Sequence, residues 1–553
     1  MSLKANASTL ITFIISIAFL TSQSQNTVGT IFVTPEVTEG FTLISESTNA
    51  YLLNNCGEVV NEWNSTYPPG MSVYLLPNGN LLRAGRAPAG STISMGGAGG
   101  VIELFDWNGN LIWSYLVNEL NKRQHHDIYP MPNGNVLLLV ASQMSEQEAL
   151  DAGRNPTLLD PDGLYNEQII EVEPIGANQG NIVWEWNIND HLVQDFDSSK
   201  ANFGIVADSP EKLDINFLND PQSISQNWLH FNSMQYDETL DQIVISCRNL
   251  NEIYIIDHST TTIQAAGSTG GIYGKGGDLL YRWGNPQAYQ QGTIEDTKLY
   301  GQHYPHYIKS GLVDEGKILL FNNGFNRLPA FSEVIIFTPP TSSAGVYTKE
   351  PGVAFGPTQV DYTYSEASEN PSPFFSGIVS SAQRLETGNL LICEGRSGEI
   401  FELDPNDNLV WKYINPMSST STTPVNQGSE PPSTNLLFRA IKYPLDYEAF
   451  VNNDTTSGNP LEGNPDLSYC NNVLSIVSLT KPDIVVYPNP ARNLVNISSN
   501  EIIDEVSVYD MNGRQLMLKK NTTSIDISSL ANGLYIFKVQ INTQSLTKKV
   551  LKK

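Results

Sequence analysis

The sequence predicts an all-β protein, a six-bladed β-propeller followed by a small C-terminal β-sandwich. Three observations carry that expectation. First, apolar runs recur on either side of tight polar turns: Pro77-Asn78-Gly79-Asn80 before Leu81, Pro132-Asn133-Gly134-Asn135 before Val136, Asp314-Glu315-Gly316-Lys317 before Ile318, and Thr387-Gly388-Asn389 before Leu390. Asn-Gly suits a hairpin turn because both central residues tolerate positive φ. Second, an apolar strand ending in tryptophan repeats at Trp63, Trp113, Trp186, Trp283 and Trp411. Third, Gly, Pro, Asn, Thr and Tyr abound while helical periodicity is missing, the pattern of a radially repeated sheet. An array of β-sandwiches fits the same strands but does not bring their ends together.

In chain order, Lys4 and the apolar run Leu10 to Leu20 predict a cleaved secretory peptide over residues 1–26. The run is too short for a membrane anchor, and no later segment is apolar enough to span a bilayer. Residues 27–475 form the expected propeller. Within it, Asn415 to Thr480 reads mostly as loop and linker, except that Leu437 to Phe450 reads as a strand closing the ring. Four cysteines, Cys56, Cys247, Cys393 and Cys470, show no CxxC spacing. A ring-closing Cys56–Cys470 bridge and four buried thiols fit equally. Residues 480–553 form a separate unit with strands expected at Ile484–Tyr487, Leu494–Ile497, Val506–Tyr509, Gln515–Leu518, Thr523–Ile527, Leu534–Gln540 and Ser545–Leu551.

The formal charge is −27 and unevenly spread. Residues 481–553 carry ten basic and six acidic side chains, while residues 27–480 carry 20 and 52. An acidic body excludes nucleic acid as a partner, since a phosphate backbone needs a basic face. Any anion site must be assembled locally from a few Arg and His.

Seven histidines are present, and five fall where repeats begin: His125 and His126, His230, and His303 and His306. His126 lies eight residues before Gly134, as Met71 does before Gly79 and Ser380 before Gly388. His230 and His306 lie ten before their turns. This register puts His126, His230 and His303 or His306 at one mouth of the channel. His191 and His258 read as structural. Neutral imidazole is a nucleophile and base near pH 7, and Arg248 with Asn232 would hold a tetrahedral oxyanion. No P-loop or carboxylate cage accompanies the set, so sulfuryl transfer fits better than phosphoryl transfer. Trp228, Phe231 and Tyr304 are candidate stacking partners for an aryl ring, though packing explains each more simply. Arg282, Arg327, Arg384 and Arg396 read mainly as ion-pair residues.

Two resemblances extend this reading. Tyr487-Pro488-Asn489-Pro490-Ala491, Asn512-Gly513, Asn532-Gly533-Leu534-Tyr535 and Lys548-Lys549-Val550 resemble the type IX secretion sorting domain of Bacteroidetes. That implies export across the outer membrane by the type IX machinery, to the cell surface or the medium. His125-His126-Asp127, His230-Phe231-Asn232 with Ser246-Cys247-Arg248, and Gln302-His303 with Asn322-Asn323-Gly324 are similar to the bacterial arylsulfate sulfotransferases. The resemblance implies a six-bladed propeller that moves sulfuryl from an aryl sulfate to a phenol through a sulfohistidine, with no cofactor and no nucleotide donor. It implies His303 as nucleophile and His230, Asn232 and Arg248 as the sulfate-binding set. It gives the remaining catalytic position to His126, or less readily His125. His125, His306 and Tyr304 stand as substrate-binding candidates, and His306 competes for the nucleophile's role. A three-His metal hydrolase built on His126, His230 and His303, and a propeller that only binds sulfated glycans, remain as alternatives.

Overall fold

The computed structural model describes residues 26–553 except 369–370, 469, 471–472, 475–483, 500–501, 512 and 542–543. The expected secretory peptide and the boundary before the C-terminal unit therefore lie outside the described residues. The chain is all-β and propeller-like. Antiparallel sheets of four or five strands follow one another from residue 29 to residue 444. The first holds Pro69–Leu75, Leu81–Arg86, Gly100–Phe105 and Leu111–Leu116. The second is built on Lys122–Pro130 and runs out to Gln179–Asn187, and the third on Phe231–Asp237 runs out to Tyr281–Trp283. The fourth starts at His303–Tyr307 and the fifth at Ser381–Arg384. The sixth joins Ile441–Pro444 to Gly40–Glu46, Asn49–Leu53 and Val59–Asn64.

The apolar core runs round these sheets in sequence because strand side chains alternate between two buried faces. Ile318 and Leu320 pack with Val244 and Ile253 of the third sheet, whereas Leu319 and Phe321 pack with Ala382 and Ile392 of the fifth. The same sorting places Leu137 and Leu139 against the third sheet and Leu138 and Val140 against the first.

The recurrent tryptophans have a specific task. Four sit on an outermost strand and Trp411 on the strand next to it, and each donates its indole N–H to a carbonyl at the neighbouring sheet. Trp63 donates to Asp106, Trp113 to Gln179, Trp186 to Gly277, Trp283 to Pro357 and Trp411 to Asn55, all at 2.8–3.0 Å. On the fourth sheet, Tyr362 replaces tryptophan and donates its hydroxyl to Asp407 at 2.6 Å. A buried indole needs one acceptor, so the ring satisfies it at the junction.

Closure uses both ends of this region. Gly29–Val33 pairs with Leu409–Ile414, and Ile441–Pro444 pairs with Gly40–Leu43. The closing strand is shorter than the expected Leu437 to Phe450, because Arg439 turns inward before it and a 3-10 turn, Glu448–Phe450, follows. Cys56 and Cys470 form a disulfide, while Cys247 and Cys393 are buried free thiols.

At the axis, the Arg439 guanidinium pairs with Asp127 Oδ2 at 2.8 Å and donates to Tyr74 Oη. Asp127 also accepts from the backbone N–H of Met234 and of Ile128, each at 3.1 Å. Gln235 donates to Tyr74 Oη at 2.9 Å, and the guanidinium lies 3.9 Å over the Tyr304 ring. One buried ion pair thus engages the first, second, third, fourth and sixth sheets.

In the C-terminal unit, a three-stranded sheet begins at Ile484–Tyr487 and a four-stranded sheet is centred on Glu505–Tyr509 and Gly533–Ile541. Both share one core that includes Val495, Val506, Phe537 and Val550. The expected strands match to within two residues at either end.

Removing Asp127 leaves a buried guanidinium unpaired, so Asp127→Ala is expected to lower unfolding free energy by about 3–5 kcal/mol, read from the denaturant midpoint. Joint Cys56→Ser and Cys470→Ser substitution is expected to cost about 2–4 kcal/mol, with wild-type stability under reducing conditions falling to that of the variant.

Candidate active site

Most innermost strands enter the axis through the same backbone irregularity. Met71, His126, His230, Tyr304 and Ser380 all have positive φ, between 50° and 96°. Register shifts accompany them, between Pro69 and Val73, Gln124 and Ile128, Phe231 and Ser233, and His303 and His306. Such bulges redirect side chains, and non-glycine residues in the left-handed region concentrate at functional sites. The eight-residue register finds Met71, His126 and Ser380 correctly. In the fourth sheet the left-handed residue is Tyr304, between the two histidines that the ten-residue offset leaves undecided.

His126, His230 and His303 converge. The His126 and His230 rings are 4.7 Å apart, and the His126 and His303 rings each lie 6.4 Å from Phe438. Gly97 is packed so closely on the His126 imidazole that a Cβ there would lie 2.3 Å from the ring, and its φ is +73°. Only glycine lets the loop approach that far. Arg248 reaches in from the end of strand Gln242–Cys247, with its Cγ against Gly301 and its guanidinium 4.3 Å over the Phe325 ring. It donates to Asn249 Oδ1, and among the described residues no carboxylate pairs with it.

Burial chiefly, then the neighbouring charges of Arg248 and the other imidazoles, holds His126 and His230 well below the usual imidazole value. Burial pushes His303 down to about 3, against the opposing pull of Asn323. The rings are therefore neutral at pH 7, and their tautomers decide what they present.

For His303 the tautomer follows from its neighbours. Asn323 Nδ2 donates to the carbonyls of Ser376 and Val379 at 2.6 and 2.8 Å. Its Oδ1 must then face His303 Nδ1, 2.7 Å away, and accept the Nδ1 proton. His303 Nε2 is left with a lone pair and no protein partner among the described residues. For His230, Asn227 Nδ2 donates to Nδ1 at 2.6 Å, which puts the proton of the neutral ring on Nε2.

The other expected site residues make contacts of their own. Asn232 is fully buried and donates to Gln302 O at 2.8 Å, next to His303 in sequence. Its Oδ1 accepts the Ser233 hydroxyl at 3.4 Å. His125 is wholly buried behind His126, its Nδ1 2.9 Å from His126 Nδ1. His306 lies over Tyr304 and donates its Nδ1–H to that residue's carbonyl, 3.0 Å away, with no ring contact to His126, His230 or His303 among the described residues. Burial lowers it to about 4. Tyr304 is held beneath Arg439, Trp228 donates to Tyr165 O, and Phe231 is core.

His191 bonds Asp278 and Ala265 O, and His258 bridges Asp241 and Glu171. For His258, burial opposes the charge, but the two carboxylates raise it to about 9. Arg282 pairs with Glu252, Arg327 with Glu333 and Arg384 with Asp314, all away from the cluster. Among the described residues no group of three His, Cys, Asp or Glu is arranged to hold a metal ion. Asn323, Asn227, Arg439 and Phe438 belong to the neighbourhood but were not singled out from sequence. Only Asn323 left a trace, in the motif after strand Ile318–Asn322.

The geometry gathers neutral imidazoles, a guanidinium that no carboxylate pairs among the described residues, and the lone pair of His303 Nε2. No curated protein sequence matches the chain. Among solved structures, a protein of unknown function from Bacteroides caccae aligns over 73% of this chain and 98% of its own, with 10% identity and a TM-score of 0.39. The periplasmic gluconolactonase PpgL of Pseudomonas aeruginosa aligns over 68% and 96%, with 10% identity and a TM-score of 0.34. A virginiamycin B lyase from Staphylococcus aureus aligns over 71% and 90%, with 9% identity and a TM-score of 0.33. These scores are too low to argue from. Family comparison is decisive: residues 485–553 match the secretion system C-terminal sorting domain, residues 33–424 match arylsulfotransferase (ASST), and the chain belongs to the arylsulfotransferase family, an aryl sulfotransferase with a sorting domain at its C-terminus.

Proposed function

We propose that the protein transfers a sulfuryl group from a phenolic sulfate ester to a phenolic acceptor through a sulfohistidine at His303, without a nucleotide donor. The observation that carries this is the Asn323 amide. Anchored by two carbonyls, it holds the His303 Nδ1 proton and leaves Nε2 as a nucleophilic lone pair. His303 Nε2 attacks the donor sulfur, the S–O bond to the aryl oxygen breaks, and phenolate leaves with the bonding pair. Arg248 and the His230 Nε2–H stabilise the non-bridging oxygens as charge shifts across them. An acceptor phenol oxygen then attacks sulfur, the N–S bond breaks, and its electron pair returns to Nε2. Asn323 keeps the Nδ1 proton in place throughout.

In this reading the six antiparallel sheets are six propeller blades within residues 27–475, and residues 480–553 are a β-sandwich read by the type IX machinery. Residues 1–26 direct the first export step, and the mature enzyme acts outside the outer membrane.

Brief mixing with a chromogenic aryl sulfate, followed by peptide mass spectrometry, is expected to find a sulfuryl adduct on the peptide carrying His303 alone. His303→Ala is expected to abolish both adduct and turnover, while His306→Ala retains them; an adduct on His306 would overturn the assignment. Asn323→Ala frees the wrong tautomer and is expected to slow phenolate release by about 10²-fold or more, as loss of an orienting partner does behind other catalytic imidazoles.

The pH dependence has a definite sign. A base lowered to about 3 stays unprotonated well below the ordinary imidazole value of about 6.5. The rate of the first phenolate burst is therefore expected to be level from pH 8 to about 5 and to fall only as pH approaches 3. Stability runs separately: the unfolded chain binds protons on these histidines from about pH 6.5 downward and the folded chain does not, so folding free energy is full above that value and declines as pH falls. Thermal melts between pH 8 and 4 read this directly.

A further inference from the structure

The transfer to a phenol releases a proton that His303 does not take, since its Nε2 is bound to sulfur and its Nδ1 already carries one. The described residues around the imidazoles hold two carboxylates, and their roles differ. Asp127 is spent on Arg439. Glu167, fully buried, points its Oε2 at His125 Nε2, 2.9 Å away, while its Oε1 accepts the backbone N–H of Phe231 at 3.0 Å. His125 in turn places Nδ1 2.9 Å from His126 Nδ1, the two rings nearly perpendicular. The three groups form one line, Glu167 to His125 to His126, and His126 is the member whose ring touches that of His230.

The separation of Glu167 Oε2 and His125 Nε2 suits an ion pair, yet the two atoms are not aligned as a hydrogen bond and neither has another partner. Contacts of catalytic histidines are often loose in the free enzyme and tighten when charge develops. A buried carboxylate and imidazole left in this state gain most from an aligned contact when positive charge develops on His126.

We propose that Glu167 and His125 form a buried positioning pair that makes His126 the general base for the acceptor phenol. The pair rests on the sulfotransferase reading above. Once the pair aligns, Glu167 holds the His125 proton on Nε2, so that His125 Nδ1 accepts the Nδ1 proton of His126 and His126 Nε2 carries a lone pair. As the acceptor oxygen attacks the sulfur on His303, its proton passes to His126 Nε2, the N–S bond breaks, and its pair returns to His303. The His126 imidazolium then releases the proton to solvent. Charge balances: a neutral phenol, a neutral sulfohistidine and a neutral His126 become an aryl sulfate anion, a neutral His303 and an imidazolium.

Every other charge facing His126 opposes its protonation. Arg248 is cationic, and His125, His230 and His303 offer no negative charge. His230, which faces His125 as well, adds none. Glu167 is the anion that offsets the imidazolium through His125, the role of the carboxylate behind a serine protease histidine. Phenols already ionised at the working pH need no base, so the pair matters only for weakly acidic acceptors.

The test is Glu167→Gln, compared with wild type using one aryl sulfate donor and acceptors of graded acidity. Expected is a loss of about 10²-fold in turnover with weakly acidic phenols, little change with strongly acidic phenols, and an unchanged first burst of donor phenolate. Glu167→Asp is expected to restore part of the loss. Equal losses across all acceptors, or a burst lost in proportion, would overturn the proposal and leave Glu167 a packing residue. Should Glu167→Gln fail to fold, His125→Gln is run through the same series. A solvent deuterium effect on wild-type transfer, expected with weak phenols and missing with acidic ones, decides the matter without any substitution. If wild type shows neither burst nor adduct, the transferase chemistry itself fails, an outcome separate from these.

Discussion

Six sheets meeting on one axis need something to fill it, and here a buried ion pair does so. Asp127 and Arg439 contact side chains or backbone of five sheets, and the Arg439 guanidinium covers Tyr304. A buried pair of this kind is weak as a net source of stability but strong as a constraint, since either partner alone would be an unpaired interior charge. It works only if residue 127 and residue 439 arrive together. The ring must therefore close, and the inner strands must stop at a fixed height along the axis.

That height places the site. Asp127 follows His126, and Tyr304 follows His303. The backbone near the pair bends through left-handed residues in sheet after sheet, and such bends redirect side chains that strict alternation would send into a sheet. His126 and His230 occupy the bend itself. His303 precedes it and is steered by Asn323. The resulting pocket is dry enough to hold its imidazoles neutral, and its unpaired cation is Arg248. An anion of one charge and tetrahedral shape matches that balance better than a dianion, which would ask for more positive charge than one guanidinium offers.

Polarity in the site is ordered from outside inward. Asn323 and Asn227 fix tautomers and touch no carboxylate. Glu167 and His125 stand behind His126, completely buried. Asp127 neutralises Arg439. Asn323, Asn227, Glu167 and Asp127 thus each face one partner, and Arg248 is left without a carboxylate among the described residues.

Much of this was legible in the sequence, for local reasons. Asn-Gly turns, apolar runs and repeated tryptophans dictate short antiparallel strands whatever the partner, so the all-β class and most strand positions followed from pattern alone. The C-terminal strands came out nearly residue for residue. His126, Met71 and Ser380 aligned because a fixed count from a turn keeps its meaning inside one hairpin. Where a loop changed the count, as before Gly316, the register failed and His303 and His306 could not be told apart. Tertiary structure alone decided the rest: that Asn232 is spent on Gln302, that His125 is hidden with Glu167, that Cys56 meets Cys470, and that Arg439 is the axial cation. These pairings join residues from 42 to 414 positions apart, and a contact between distant residues is fixed by how sheets stack against one another, for which no local spacing carries a signal.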